Sequence, residues 1–253
     1  MTNNLFIGQH RIHLSEVDST NNYARTLLRD TMPTEGTVIT TDNQTSGRGQ
    51  RSNSWSAEPN LNLTCTYILR PAFLAAKDQF MLSAAVALSV FDVVREFTPI
   101  DGIKIKWPND ILVGEKKIAG ILIENSVRGM NLDNSIVGIG LNLNQVEFEQ
   151  GLNATSLLSE SGDVMIVKDV LETLNGKLEA RYLQLRNGNH ASILSELNRN
   201  LFGFEEERAL RINGEESLVK ILGARPSGEL QLQHSDGRNT LHQHHEIQWN
   251  LNS

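Results

Sequence analysis

The sequence predicts a protein of mixed strands and helices that ends in a small all-β domain. Three features carry that prediction. Ile103-Lys104-Ile105-Lys106 alternates apolar and charged residues and then meets Pro108, the pattern of a half-buried strand stopped by a turn. Two long stretches, Asp78 to Phe97 and Val167 to Leu185, carry apolar residues at helical spacing. After about Phe204, Asn213-Gly214, Pro226-Ser227-Gly228 and Asp236-Gly237 separate short apolar runs, as turns separate the strands of a small barrel.

In chain order, Arg11 to Val17 alternates like a strand, and Asp18-Ser19-Thr20-Asn21-Asn22 breaks it before a helical segment from Tyr23 to Arg29. Asp18, Ser19 or Thr20 fits an N-cap, and hydroxyls beside free amides at a helix start also suit a polar ligand. Gly36 to Thr41 is a β-branched strand that runs into a long polar loop, residues 42–56, with no apolar residue between Ile39 and Trp55. Glycines flanking Arg48, with Arg51 close behind, would let amides and guanidinium groups surround an anion. Asn62 to Leu69 is the next strand. Met81, Leu82, Ala85, Leu88 and Val93 then mark a helix apolar around most of its circumference, which must be buried.

Lys106-Trp107-Pro108-Asn109-Asp110 ends the strand at 103–106, Ile111-Leu112-Val113 starts another, and Ile118 to Glu124 returns. A lysine is thereby held at the mouth of a sheet. Ile136 to Leu143 reads as a strand containing Gly138 and Gly140, which suggests a bulge or a close backbone approach. Neither a complete Gly-x-Gly-x-x-Gly nor a P-loop occurs, so a dinucleotide fold and a P-loop nucleotide site are unsupported. The helix from Val167 stops at Asn187-Gly188, and Ile193 to Leu201 suggests a shorter one. His242 and His244 would share one face of a strand. With no third or fourth ligand nearby, a structural zinc is the minority reading. The expected domain division is 1–203 and 204–253.

Composition narrows the class. A formal net charge of −7 argues against a chain whose main partner is nucleic acid. One cysteine, Cys65, excludes an internal disulfide and suits a reducing compartment. With no signal-like N-terminus and no run of about 18 apolar residues, a cytoplasmic, membrane-free protein is expected.

Five segments taken together go further. Asp18-Ser19-Thr20-Asn21, Gln44-Thr45-Ser46-Gly47-Arg48-Gly49, Lys106-Trp107-Pro108-Asn109-Asp110, Lys117-Ile118-Ala119-Gly120-Ile121-Leu122-Ile123-Glu124 and Val137-Gly138-Ile139-Gly140-Leu141-Asn142 resemble, in order and separation, the biotin–protein ligases. The likeness covers residues 11–185 well. The terminal β segment is similar only in size and texture to that family's SH3-like domain. The resemblance implies an α+β fold, a largely antiparallel sheet with helices related to class II aminoacyl-tRNA synthetases. It also implies a two-step reaction: biotin and ATP form biotinyl-5′-AMP and pyrophosphate, and a lysine of a carboxylase's biotin carrier domain then takes the biotin. Mg²⁺ is expected with the ATP, its ligands unknown. No DNA partner is expected, because only about ten residues precede the first strand. Monomer and homodimer are both compatible with the sequence.

The resemblance assigns catalytic roles to Lys106 and Arg48. It places biotin against Ser19, Thr20, Asn21, Gln44, Gly47, Arg48, Gly49, Gln50, Lys106, Gly138 and Gly140. It places ATP or the adenylate against Arg48, Arg51, Trp55, Lys106, Asn109 and Asn142. The chemistry fits these residue types, since joining a carboxylate to a polyphosphate calls for fixed cations and donors rather than a protein nucleophile. Two positions depart from the family pattern. Gln50 stands where an arginine is frequent, and Ser52 where a glycine is usual. One fewer charge-assisted bond from Gln50 implies a shorter-lived adenylate complex. Lipoate or octanoyl ligases share the fold but typically carry a different arginine–glycine loop and lack Trp107-Pro108. A ligase–repressor would add a DNA-binding module, and a non-catalytic biotin binder would have no need of Lys106.

Overall fold

The computed structural model describes residues 4–50, 53–98 and 100–250. The elements of the first part are β1 (Arg11–Val17), α1 (Thr20–Asp30), β2 (Thr37–Gln44), β3 (Asn62–Leu69), α2 (Phe80–Phe97), β4 (Ile103–Lys106), β5 (Asp110–Val113), β6 (Lys116–Arg128), β7 (Asn131–Asn142), α3 (Leu157–Ser161), α4 (Val167–Arg186) and α5 (His190–Arg199). Five short strands follow: β8 (Glu207–Ile212), β9 (Glu215–Ala224), β10 (Leu230–His234), β11 (Asn239–His242) and β12 (Ile247–Trp249). The fold is mixed α+β. Strands β1 to β7 form one sheet in the order β1-β2-β3-β7-β6-β5-β4, antiparallel except where β1 runs parallel to β2.

Alternation along the strands decides what covers each face. Val38, Cys65, Tyr67, Val137 and Ile139 point into the main core. Helix α2 lies there and packs against α4, α5 and β4. Its apolar circumference is explained by burial on nearly every side, from Met81 to Val94. Their neighbours in sequence, Ile39, Ile68 and Ile136, point the other way, into a smaller cluster with Ala24 of α1. Each such fully buried aliphatic side chain stabilises by about 1.5–3 kcal/mol, so these two clusters set the sheet register.

The N-terminal segment is tied down by one carboxylate. Glu179 of α4 accepts the backbone amides of Leu5, Phe6 and Ile7 at 2.6, 2.8 and 2.9 Å. Strands β8 to β12 form a second antiparallel sheet in the order β11-β10-β9-β8-β12. The Asn213-Gly214 turn joins β8 to β9, and both residues have positive φ, +50° and +90°, as the two-residue hairpin requires. This sheet shares the main core through Val219, Ile221, Leu230 and Leu232. No helix among the described residues is long and apolar enough to cross a membrane.

Candidate functional site

The site lies on the face of the large sheet that carries α1, where the side chains shrink. Directly paired antiparallel residues share a face. Register places Glu124 beside Ile136 and Ile136 beside Ile68, all next to the α1 cluster. Two residues along, Leu122, Gly138 and Thr66 form the next row, and beyond it lie Asp110, Gly120, Gly140 and Thr64. Isoleucine thus gives way to glycine and threonine, and a cleft opens beyond the helix start. Its cavity volume is about 160 Å³.

One wall is the N-terminus of α1. Ser19 is its N-cap, and its side chain makes no capping bond. Ser19, Thr20 and Asn21 are all nearly fully buried and line the cleft. The Thr20 amide donates to Gln44 Oε1 at 2.9 Å. Thr66 Oγ1 lies 2.8 Å from Thr20 Oγ1 and 2.7 Å from Asn21 Oδ1. This wall therefore offers hydroxyls and amides already ordered by one another.

The opposite end carries charge. β4 and β5 form a tight hairpin in which Lys106 pairs with Asp110 and the Asn109 amide donates to the Lys106 carbonyl at 3.1 Å. Lys106 Nζ is 3.0 Å from Asp110 Oδ2, and Lys117 Nζ is 2.7 Å from Asp110 Oδ1. Burial disfavours an ionised Asp110, but Lys117 and Lys106 outweigh it and hold the carboxyl below the usual carboxylate range. Two ammonium groups thus share one buried carboxylate, leaving one net positive charge at the cleft. Asn109 also lines it, with Nδ2 donating to the Ile121 carbonyl at 2.8 Å.

The polar loop after β2 forms the rim. It folds back on itself, with the Gly49 amide donating to the Asn53 carbonyl and the Trp55 amide to the Gly47 carbonyl. Gly47 is dictated by contact, because a Cβ there would sit 2.1 Å from the Trp55 carbonyl oxygen. Arg48, Gly49, Gln50 and Trp55 line the cleft. Arg51 and Ser52 lie outside the described residues. The Arg48 guanidinium is held by Asn22 Oδ1 at 3.1 Å and Glu124 Oε1 at 3.2 Å. The Trp55 ring lies 5.7 Å from Lys117 Nζ.

Several expectations need correction. The room above Gly138 and Gly140 is filled by the protein itself. A Cβ on Gly138 would fall 2.3 Å from Asn21 Oδ1, and one on Gly140 2.2 Å from Trp55 Cε2. These glycines admit Asn21 and the Trp55 indole, and both glycines also line the cleft. Asn142 is not brought to the cleft; it is buried, with Nδ2 donating to the Thr155 carbonyl at 2.9 Å. His242 and His244 share no strand face, because β11 ends at His242 and His244 begins a 3₁₀ turn. No group of three or more His, Cys, Asp or Glu residues able to hold a metal occurs among the described residues. Among the described residues, the one carboxylate in the lining, Asp110, is engaged by two lysines, so these residues do not by themselves form a Mg²⁺ site.

Sequence reasoning missed Thr66, Lys117, Asp110, Glu124 and His244 as site residues. Thr66 was findable, since it alternates with the core residues Cys65 and Tyr67. His244 reaches the cleft from the 3₁₀ turn between β11 and β12, its ring edge-on to Trp107 at 5.6 Å. Trp107 itself is buried, and Nε1 donates to the Gly228 carbonyl at 3.1 Å, pinning the second sheet to the β4–β5 turn. Among the described residues the cleft cysteine is not an activated nucleophile. Cys65 is buried in the core, and burial pushes its thiol up to about 12.

Fold and cleft together define a mixed α+β protein with a polar cleft, hydrogen-bonding groups at one end and paired lysines at the other. The chain belongs to the biotin/lipoate A/B protein ligase family, whose model matches residues 14–142, about half of the chain. It is 35% identical over 183 residues to the bifunctional ligase/repressor BirA of Bacillus spizizenii, covering 70% of this chain and 54% of that protein. It is 29% identical over 157 residues to the biotin–[acetyl-CoA-carboxylase] ligase of Mycobacterium tuberculosis, covering 61% and 57%. The chain thus spans little more than half the length of these curated relatives. Among solved structures, a biotin protein ligase from Aquifex aeolicus in complex with biotin and ATP superimposes with a TM-score of 0.79 at 26% identity, covering 95% of this chain and 98% of that one.

Proposed function

We propose that this protein is a biotin–protein ligase that activates biotin with ATP and passes it to a lysine of a carboxylase's carrier domain. The observation that carries the reading is the cleft itself. A neutral, hydrogen-bonding wall at the start of α1 and a cationic end at Lys106 and Lys117 lie on one sheet face, and the Cys65 thiol behind them is held protonated by burial. That polarity suits a molecule with a neutral ureido head and a carboxylate tail. The Aquifex aeolicus relative, similar along nearly its whole length, was solved with biotin and ATP.

In this reading Ser19, Thr20, Asn21 and Gln44 hydrogen-bond the ureido group. Lys106, braced by Asp110, sits between the biotin carboxylate and the α-phosphate. It offsets negative charge as the carboxylate oxygen attacks phosphorus and pyrophosphate leaves. Arg48 and the loop amides cover the acyl phosphate, and Trp55 and Asn109 flank the nucleotide. The acceptor lysine's amine then attacks the biotinyl carbonyl and AMP departs. Any Mg²⁺ would arrive with the nucleotide and be held largely by its phosphates, as this ion commonly is.

The reading extends to architecture. The large sheet is taken as synthetase-like, with the domain boundary near 203. The strand order of the second sheet, a four-strand meander with the last strand returning beside the first after a 3₁₀ turn, supports an SH3-like barrel. The test is transfer of radiolabelled biotin to a purified carrier domain with ATP and Mg²⁺. ATP-dependent labelling of the carrier lysine is the expected result. Transfer of labelled lipoate in its place would overturn the reading.

A further inference from the structure

We infer that Glu124, on β6, is a positioning residue that joins the two ends of the cleft by holding Arg48 and Asn21 with one carboxylate. This rests on the ligase reading above. Glu124 Oε1 accepts from Arg25 Nη2 at 2.5 Å and from Arg48 Nη1 at 3.2 Å. Its other oxygen accepts from Asn21 Nδ2 at 3.0 Å. Asn21 Oδ1 in turn takes the Thr66 hydroxyl, which also meets Thr20, and Thr20 bonds Gln44. A continuous chain of hydrogen bonds therefore runs from Gln44, at the neutral wall, through Thr66, Asn21 and Glu124 to Arg48 on the rim.

Charge gives the chain its direction. Two guanidinium groups on one carboxylate leave one positive charge in excess. Arg25 lies on the outer side, on α1, whereas Arg48 lines the cleft. An anion entering the cleft can draw on Arg48 while Arg25 continues to neutralise Glu124. Without the carboxylate, the loop arginine loses its ion pair with Glu124 and keeps its bond to Asn22 Oδ1 on the helix that presents Asn21. Arg48 would then repel Arg25, and the Asn21 amide would be left with its longer bond to the Leu122 carbonyl, at 3.4 Å, to fix which end faces Thr66. Register supports the placement: Glu124 shares a row with Ile136, just outside the glycine floor, so it braces the site without touching substrate.

The experiment measures adenylate formation by ATP–pyrophosphate exchange in wild type, Glu124→Gln, Arg48→Ala and the double variant, with folding checked by circular dichroism. Glu124→Gln is expected to lower kcat/KM for ATP about tenfold and to raise the KM for biotin several-fold. In kcat/KM for ATP the double variant should fall within about twofold of Arg48→Ala, because on that substrate Glu124 acts through Arg48, whereas the rise in biotin KM, which runs through Asn21, should persist. Losses in kcat/KM for ATP that multiply in the double variant, or a Glu124→Gln protein within twofold of wild type on both substrates, overturn the inference. Should Glu124→Gln not fold, Arg25→Ala keeps the carboxylate and removes its outer anchor, and a two- to fivefold loss is expected there; no loss counts against the inference. A wild-type protein without biotin-dependent exchange would instead sink the ligase reading.

Discussion

The two cations placed at the proposed acyl-phosphate junction rest on different supports. Lys106 ends a strand: its backbone is fixed by pairing with Asp110, and its ammonium by a buried carboxylate. Arg48 sits on a rim loop joined by the isolated pairing of Arg48 with Ser54, and its side chain is steadied by Glu124 and Asn22 at a partly exposed surface. Exposed ion pairs are typically worth well under 1 kcal/mol, and removing one member of a buried pair costs several. The difference separates tasks. In the proposed reaction, the strand-borne lysine is the pre-placed cation at the point where charge builds, and the loop-borne arginine is the one free to adjust.

Four changes would sharpen or break this contrast. The largest effect belongs to Lys106→Met. It should reduce adenylate formation by at least about 100-fold, with the far-UV spectrum and urea midpoint close to wild type, because Lys117 remains beside Asp110. Near-normal exchange activity would return Lys106 to the role of a solvated strand-end lysine. Next is Asp110→Asn, which leaves two ammonium groups without their counter-ion and should cost about 1–3 kcal/mol in urea unfolding at pH 7. Because the folded carboxyl is held below its ordinary value, its stabilisation is present above roughly pH 4 and is lost as pH falls through the lower folded value. Wild type should therefore show an acid-induced loss that the asparagine protein lacks; parallel pH–stability curves would contradict the buried pairing.

Smaller effects should come from the rim. Gly140→Ala places a methyl where the Trp55 indole now lies, so the ring must move. A change in the Trp55 contribution to fluorescence, defined against Trp55→Phe, and a several-fold weaker hold on biotin are expected. Unchanged fluorescence would mean that the indole does not occupy that space in solution. The smallest effect is a gain. Gln50→Arg adds a charge to the loop and should slow biotinyl-adenylate dissociation several-fold, read by stopped-flow, and no slowing would show that position 50 does not meet the adenylate.

The sequence by itself determined the elements and their turns. The Ile-Lys alternation ending at Pro108, the apolar circumference of α2, and Asn213-Gly214 each encode a local geometry that sterics and periodicity decide within a few residues. The order of the motif segments also pointed to the right family. Tertiary structure alone decided partnerships between residues distant along the chain. It brought Lys117 onto the carboxylate of Asp110, Glu124 onto Arg48, and His244 of the 3₁₀ turn between β11 and β12 against Trp107. It also seated Asn21 over Gly138 and Trp55 over Gly140. Asn142, which matched the motif well, turned inward to Thr155. Strand alternation shows which residues share a face, but only sheet order and register show what lies across from them. The charge and hydrogen bonding of this cleft are settled by those cross-strand neighbours.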